Sequence, residues 1–369
     1  MIKILIMVIG LGGGALLGMW PRLYAPWGRL RSWILAVWIA LSACATLIPP
    51  IATDLESLPE LAANGSQEPL NARFFISGVA DDASLIDTSA TNRAVLRIRP
   101  TVDASAKEYK LVAPRDPELM KYSNDPGREI IAKLSYSKDD KYFRFISLER
   151  VDPFVVLPYV PGLGERMRII NFHVPVAWVA VLAYIFSMAY SVNYLRRRDP
   201  DSDAKAATAA ALGTAFCLLA TTSGMIWAKF NWGAYWNWDP RETSIFMLLL
   251  IYAAYFTLRS AVPSGDARAR LSAVYNILAA VTVPFFIFIL PRITSGLHPG
   301  SAGEDTTGPI LSAQSEMMNT VKQITFALAL GGFTALFLRL QNALYRLRRL
   351  PRRSPSDRRS AAHCHRADA

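Results

Sequence analysis

The sequence predicts an all-α polytopic membrane protein of about seven transmembrane helices, with a small extracytoplasmic β-rich inserted domain. Of its 369 residues, 52% are hydrophobic and 19% are charged, whereas soluble globular domains carry about 25% charged residues. Long charge-free runs recur along the chain, and a polar stretch with strand-like alternation separates the second run from the third. This combination argues against an ordinary soluble protein.

Seven apolar runs account for the predicted helices. A helix needs roughly 20 apolar residues to cross the hydrocarbon core of a bilayer. The runs 243–258 and 323–338 are shorter, but they are flanked by Lys and Arg, whose long side chains reach the bilayer surface. The first run fits a signal peptide or a retained helix, and we favour retention because no convincing small-residue cleavage site accompanies it. The runs are 4–21, 32–53, 169–195, 206–228, 243–258, 271–291 and 323–338.

Basic residues predict the orientation of the helices. With a cytoplasmic C-terminus, the inward-facing segments are 21–31, 196–205, 259–270 and the tail, and these are rich in Lys and Arg, whereas the short outer segments hold few. Cytoplasmic loops of membrane proteins show this enrichment. The net charge of +11 therefore indicates topology and contact with the lipid bilayer, and no nucleic acid is expected as a partner.

The polar stretch 54–165 is predicted as an extracytoplasmic β-rich insertion. Turn-forming clusters separate its alternating segments, which indicates a sandwich or an open barrel of about 85 residues. It contains no His and no Cys, so a metal site with those ligands is not expected in it. The other predicted units are two N-terminal transmembrane helices (1–53), a membrane domain (166–342) and a basic cytoplasmic tail (343–369). The strand segments are 73–80, 94–102, 109–113, 129–137 and 141–151.

Two histidines and an aromatic segment are predicted to lie on the same outer face. His173 lies at the outer end of the third helix, and His298 lies just beyond the outer end of the sixth. The segment FNWGAYWNWDPRET (230–243) connects the fourth and fifth helices. The charge-based topology, which uses neither histidine, brings these three features to one membrane surface.

This combination favours an iron porphyrin as the ligand. Two neutral imidazoles can supply both axial ligands of a haem iron. Indole and phenol rings suit the faces and rim of the porphyrin, and Arg241 or Lys229 is placed to bind its propionates. Trp and Tyr also gather at membrane interfaces as aromatic belts, so the aromatic segment taken alone permits a purely structural interpretation.

Three motifs resemble the haem exporter protein C (CcmC) family of c-type cytochrome maturation, within the WWD haem-handling superfamily that includes CcmF and CcsA. They are MRIINFHVPVAW (167–178), GMIWAKFNWGAYWNWDPRET (224–243) and ITSGLHPGS (293–301), and the resemblance covers roughly 165–345. It implies that His173 and His298 are the axial ligands of the iron of a non-covalently bound haem b. It also implies an aromatic and charged platform, formed by Trp232, Tyr235, Trp236, Trp238, Asp239 and Arg241.

The resemblance implies a haem delivery protein and not an enzyme. Such a protein presents haem at the periplasmic face of the bacterial inner membrane, as a multi-pass protein with a cytoplasmic C-terminus. The implied partners are a periplasmic haem chaperone (CcmE-like) and ABC-type transporter subunits (CcmA/CcmB-like). The implied work is presentation of haem and its transfer to the chaperone during c-type cytochrome biogenesis.

The sequence departs from the family pattern in an additional first helix and in the long insertion. Because the insertion has no His and no Cys, it is not a haem chaperone of the ordinary kind, and we expect it to dock the chaperone or to order the haem site. Two alternatives remain open. One is a CcsA-type haem lyase component, which also uses histidines within its helices, and the other is a membrane scaffold subunit that binds no haem.

Overall fold

The protein is a helical bundle with a small β-barrel inserted between its second and third long helices. The computed structural model describes residues 2–47, 53–55, 70–80, 92–101, 108–123, 125, 127–137, 141–152, 168–263, 265–298, 301–302 and 320–349. The helices are α1 (Ile2–Met19), α2 (Arg29–Leu47), the short α3 (Pro117–Ser123), α4 (Ile170–Arg197), α5 (Pro200–Trp232), α6 (Pro240–Ala261), α7 (Asp266–Ile293) and α8 (Thr320–Arg349). Within α7, Phe285–Ile289 form a π-helical stretch.

Six of these helices are long and apolar enough to cross a membrane, namely α2, α4, α5, α6, α7 and α8. The multi-pass helical class is thus confirmed for the described residues, but the predicted number of seven is not. The difference lies in α1, whose apolar segment Ile4–Met19 is shorter than the other six. In the last helix the prediction of 323–338 was too short, because the helix continues through its basic end to Arg349.

A row of glycines in α1 packs this helix closely against α8. A Cβ added at Gly10 would overlap the carbonyl oxygen of Ala327, and one added at Gly14 would overlap that of Gly331. Small residues four positions apart allow two helix backbones to approach each other in this way. The first apolar run is therefore a helix packed within the bundle, as its glycine spacing indicates.

We expect Gly14→Leu to separate α1 from α8. The new side chain has no room against the backbone of Gly331, and overpacking of this kind costs about 3 kcal/mol or more when backbone must move. Gly12→Leu is the matched control, because a Cβ at Gly12 meets nothing within 4 Å. The melting temperatures of the two variants in detergent test this: Gly14→Leu should melt well below Gly12→Leu, and equal values would contradict the packing role.

The helices α4 and α5 form an antiparallel pair at the centre of the bundle. The chain reverses between them at Arg198, which adopts a left-handed conformation (φ 54°), and α5 then starts at Pro200 with Asp199 as its N-cap. The Asp199 carboxylate accepts hydrogen bonds from the backbone N–H groups of Asp201 and Ser202, which satisfies donors that a helix start leaves free. Buried alanines along α5 let the two helices lie close together.

The insertion folds as a closed β-barrel. Its strands are β1 (Thr53–Asp54), β2 (Leu70–Ala80), β3 (Arg93–Pro100), β4 (Tyr109–Pro114), β5 (Glu129–Ser137) and β6 (Tyr142–Val151). The sheet order is β1-β2-β3-β4-β6-β5, and β5 also pairs with β2, which closes a ring of five strands. The strands β4 and β6 are parallel, and α3 lies between β4 and β5 in the chain.

This arrangement is that of the OB-fold, a five-stranded Greek-key barrel. Alternate residues of the strands fill its interior, where Phe74, Leu96, Leu134 and Phe143 are fully buried. The predicted β-rich insertion is confirmed for the described residues, and of the two predicted architectures the barrel is the correct one. It is closed and not open, because the long β2 pairs at one end with β5 and at the other with β3.

Candidate functional site

The aromatic segment forms the tight connection between α5 and α6. Gly233 ends α5 in a left-handed conformation with φ 83°, which glycine adopts without steric cost. The α6 helix then begins at Pro240 with Asp239 as its N-cap and Glu242 as the reciprocal partner of a capping box. Trp238, just before the cap, has φ 57°, a strained conformation for a bulky residue that costs about 1–3 kcal/mol.

Asp239 binds the loop that carries His298. One carboxylate oxygen of Asp239, Oδ1, lies 2.7 Å from Nδ1 of His298, and the other, Oδ2, accepts a hydrogen bond of 2.6 Å from the backbone N–H of Leu297. Gly296 permits this approach, because a Cβ there would lie only 2.7 Å from Oδ2. Asp239 was predicted as part of a haem platform, and the structure gives it two further tasks, as a helix cap and as the anchor of this loop.

The Asp239 carboxyl stays ionised in this setting. Burial alone would raise its pKa, but the hydrogen bond and charge of His298, with the N–H donors of Arg241 and Leu297, lower the pKa of Asp239 to about 2. An ionised carboxylate only accepts hydrogen bonds, so the proton in the bond to His298 is on Nδ1. In the neutral form of the imidazole, the Nε2 of His298 then carries the free lone pair.

The Nδ1 of His173 also has a hydrogen-bond partner, which lies on the neighbouring helix. It lies in the first turn of α4, and its Nδ1 is 3.1 Å from the hydroxyl oxygen of Ser223 on α5. The Ser223 hydroxyl also lies 2.8 Å from the backbone oxygen of Leu219, so it can donate there and accept from His173. In that tautomer the proton of His173 is on Nδ1, and Nε2 is free to bind a metal.

The two histidines share an electrostatic environment. His173 lies close enough to His298 and Arg241 for their charges to act on it. The ring of Trp232 meets that of His298 edge-on, with 4.6 Å between the centroids. The structure thus brings together His173, His298, Trp232, Asp239 and Arg241.

The other predicted aromatic residues form a separate group. The ring centroid of Trp236 lies 5.7 Å from that of Trp238 and 6.3 Å from that of Phe246. Trp238 is 70% exposed and Tyr235 is 56% exposed, so both present free ring surface outside the Trp232–His298 contact. Lys229 donates a hydrogen bond of 2.8 Å to the carbonyl oxygen of Gly233, so it stabilises the C-terminal end of α5.

A buried polar cluster holds the first turn of α4 in place. The side-chain amide of Asn171, two residues before His173, donates to the hydroxyl of Thr46 on α2 (2.9 Å) and accepts from the ammonium of Lys322 on α8 (2.6 Å). All three residues are at most 4% exposed. The cluster therefore fixes the helix start that carries His173 to two other helices.

The sequence analysis did not identify several residues of this site. Ser223, Glu242 and Gly296 contact the predicted residues, and Asn171 and Lys322 belong to the buried cluster at the start of α4. Apart from Glu242, no sequence pattern singles these residues out. Glu242 was the exception, because an acid three residues after Asp239 is the signature of a capping box.

The family comparison agrees with this geometry. The family model described as Heme exporter protein C matches residues 149–354, which is more than half of the chain and includes every predicted site residue. The chain belongs to the heme exporter protein C family. The match is wider than the region 165–345 that the motifs indicated, and it leaves most of the barrel outside the family region.

Curated relatives carry the same family name. Heme exporter protein C of Paracoccus denitrificans is 34% identical over 48% of this chain and 70% of its own length. The protein of that name from Rhodobacter capsulatus is 29% identical over 51% of this chain and 74% of its own length. The chain is also similar, over a shorter region, to the cytochrome c biogenesis protein CcsA of Arabidopsis thaliana, with 32% identity over 24% of this chain.

Proposed function

We propose that this protein binds haem on the periplasmic face of the inner membrane and delivers it to a haem chaperone during c-type cytochrome biogenesis. The haem is a haem b held without a covalent bond, and His173 and His298 are its axial ligands. The protein acts by presenting its cargo, so it is a transfer protein and not an enzyme.

The observation that carries this proposal is the shared state of the two imidazoles. Each has its Nδ1 within hydrogen-bond distance of a fixed partner, Ser223 for His173 and Asp239 for His298, and this arrangement leaves Nε2 for a metal. Histidines that bind metals usually donate their second ring N–H to a carboxylate, carbonyl or water, which fixes the ring and makes the ligating nitrogen more basic.

The surrounding residues suit the rest of a porphyrin. Trp232 packs against His298 and offers an apolar edge, while Arg241 supplies a positive charge near His173 for a propionate. The exposed rings of Trp238 and Tyr235 extend the apolar surface outward. Bound in this way, haem supplies an iron whose axial positions can be exchanged.

The chain contributes to haem transfer because it holds one of the two histidines more firmly than the other. His173 lies on a helix fixed by the buried cluster of Asn171, Thr46 and Lys322. In the described part of the chain, His298 lies on a loop that is held by the side chain of Asp239 and by its own turn, in which Ser301 donates to the His298 carbonyl oxygen (2.7 Å). A ligand of the chaperone would therefore replace His298 first, while His173 keeps the haem in position.

The test is co-purification of the full chain from cells with and without the periplasmic haem chaperone. We expect the absorption spectrum of bound haem in both preparations and a lower haem content when the chaperone is present. A purified protein with no haem absorbance under either condition would favour the scaffold alternative. Covalent attachment of haem to a cytochrome by the purified protein would favour a CcsA-type haem lyase, which the shorter match to CcsA keeps as the second candidate.

The barrel has a proposed role in the same delivery step, either in docking the chaperone or in ordering the haem site. Deletion of residues 60–155 separates the two roles. Loss of chaperone co-purification with haem retained would indicate docking, whereas loss of haem would indicate ordering. If neither quantity changed, both roles would be wrong.

A further inference from the structure

We propose a second binding site, for the phosphate of an anionic phospholipid headgroup, at the opposite end of the bundle from the histidines. It is formed by Trp27, in the connection between α1 and α2, by Arg31 in the first turn of α2 and by Arg339 on α8. Arg339 follows Lys322 by seventeen residues, which places it about 25 Å along the helix from the buried cluster behind His173. That distance is close to the thickness of a bilayer core.

Two arginines share the ring of one tryptophan. The guanidinium carbon of Arg31 lies 4.1 Å from the centroid of Trp27, and that of Arg339 lies 5.3 Å from it. Their like charges act on each other. Among the described residues no carboxylate pairs with either of them, although other arginines at this end have such partners, for example Arg259 with Asp203.

Two hydrogen-bond donors in this cluster have no acceptor within the described part of the chain. They are Nε1 of Trp27 and Nη1 of Arg31, and both atoms are buried. The rest of the Arg31 guanidinium is satisfied, because Nε and Nη2 donate to the carbonyl oxygen of Leu17 at 3.1 and 2.6 Å. A buried donor without a partner costs about 1–3 kcal/mol, and an anion beside both arginines would remove that cost and their repulsion.

The connection that carries Trp27 is held rigidly. The buried side-chain amide of Asn342 on α8 donates to the carbonyl oxygens of Leu23 (2.5 Å) and Ala25 (2.7 Å). The neighbouring Gln341 donates to the hydroxyl of Tyr24 (3.2 Å). The connection that carries Trp27 and the Arg31 guanidinium are therefore held in position before any ligand arrives, which lowers the entropy cost of binding.

The apolar surroundings favour a lipid over free phosphate. Trp20 is 73% exposed, Leu30 is 75% exposed and Trp33 is 69% exposed, so large apolar side chains are exposed near the end of α1 and at the start of α2, where the cluster lies. These surfaces suit acyl chains, while the half-buried arginines suit the headgroup at the bilayer surface. Basic pockets between transmembrane helices bind anionic lipid headgroups in this way.

The test is a titration of the delipidated full-length protein with phosphatidylglycerol, followed by native mass spectrometry. We expect saturable binding of one tight lipid that Arg339→Gln weakens about tenfold and Trp27→Phe weakens about threefold, because the Phe ring keeps the apolar contact but has no N–H. Arg29→Gln is the matched control, since Arg29 is an exposed arginine of the same helix start. It should change the affinity less than twofold.

Three results would overturn the proposal. One is an equal loss of affinity in Arg29→Gln and Arg339→Gln, which would mean attraction by overall charge. Another is equal binding of phosphatidylglycerol and diacylglycerol, which lacks the phosphate. The third is displacement of the lipid by inorganic phosphate at equal concentration, which would mean a site for a free anion. Trp27→Phe keeps the test valid if the arginine variant fails to fold.

Discussion

Replacing His173 or His298 by alanine is expected to remove haem from the purified protein. Each imidazole has its Nδ1 held by a fixed hydrogen-bond partner, which leaves Nε2 for the iron, and alanine offers no ligand in its place. With one axial ligand lost, we expect haem retention to fall at least tenfold and the spectrum of any remaining haem to change from six-coordinate to five-coordinate. The measurement is the Soret absorbance per protein, with the spectrum of the reduced form.

The matched control is Ser223→Ala. It leaves the His173 ring in place but removes the acceptor that fixes its tautomer, so we expect a smaller loss of haem and a retained six-coordinate spectrum. Full haem content in both histidine variants would disprove the axial assignment. Loss of haem in His173→Ala alone would assign His298 a structural role in the loop.

Asp239→Ala is expected to have the second largest effect, because one carboxylate has three functions. It caps α6, accepts the Nδ1 proton of His298 and accepts the backbone N–H of Leu297. Loss of an N-cap costs about 1 kcal/mol, and loss of the other two bonds leaves buried donors that cost about 1–3 kcal/mol each. We expect a lower melting temperature and a loss of haem of about tenfold or more.

Two further variants separate these functions. Asp239→Asn keeps an equally good N-cap but removes the charge opposite His298, so it should retain stability better than it retains haem. Asp199→Ala removes the corresponding Asp-Pro cap at the start of α5 and should lower stability without a specific loss of haem. If Asp199→Ala and Asp239→Ala lowered haem content equally, the hydrogen bond between Asp239 and His298 would not contribute to haem binding.

The Asp239 carboxylate also makes the stability of the fold depend on pH. Its pKa is lowered to about 2 in the folded protein, from an ordinary value near 4. A lowered pKa means that the carboxylate stabilises the fold fully above about pH 4 and that this stabilisation is lost as the pH falls towards 2. The difference in melting temperature between the natural protein and Asp239→Asn should therefore shrink below about pH 4.

Much of the architecture follows from patterns that are local in the sequence. Apolar runs predict the long helices because a membrane span requires an uninterrupted stretch of such residues. The alternation of apolar and polar residues in 54–165 predicts strands, but closure of the barrel depends on pairing between β2 and β5, whose partners lie about 60 residues apart. No local pattern encodes that pairing.

The candidate site, too, could be predicted from the sequence only in part. His173, His298 and the aromatic segment stand out because their residue types are rare or clustered in this chain. The contacts that orient them are not visible in the sequence, since Ser223 and Asn171 are ordinary residues within apolar helices. The left-handed backbone of Trp238 also could not be predicted, because a bulky residue rarely adopts a positive φ.

The position of β1 restricts how another protein can approach the histidines. The strand begins at Thr53, six residues after the end of α2 at Leu47, and six residues extend at most about 21 Å. That end of α2 is beside the start of α4, because Thr46 hydrogen-bonds Asn171. The barrel therefore starts within about 21 Å of the helix end that lies beside the first turn of α4, so a macromolecule that approaches His173 meets the barrel close to its path.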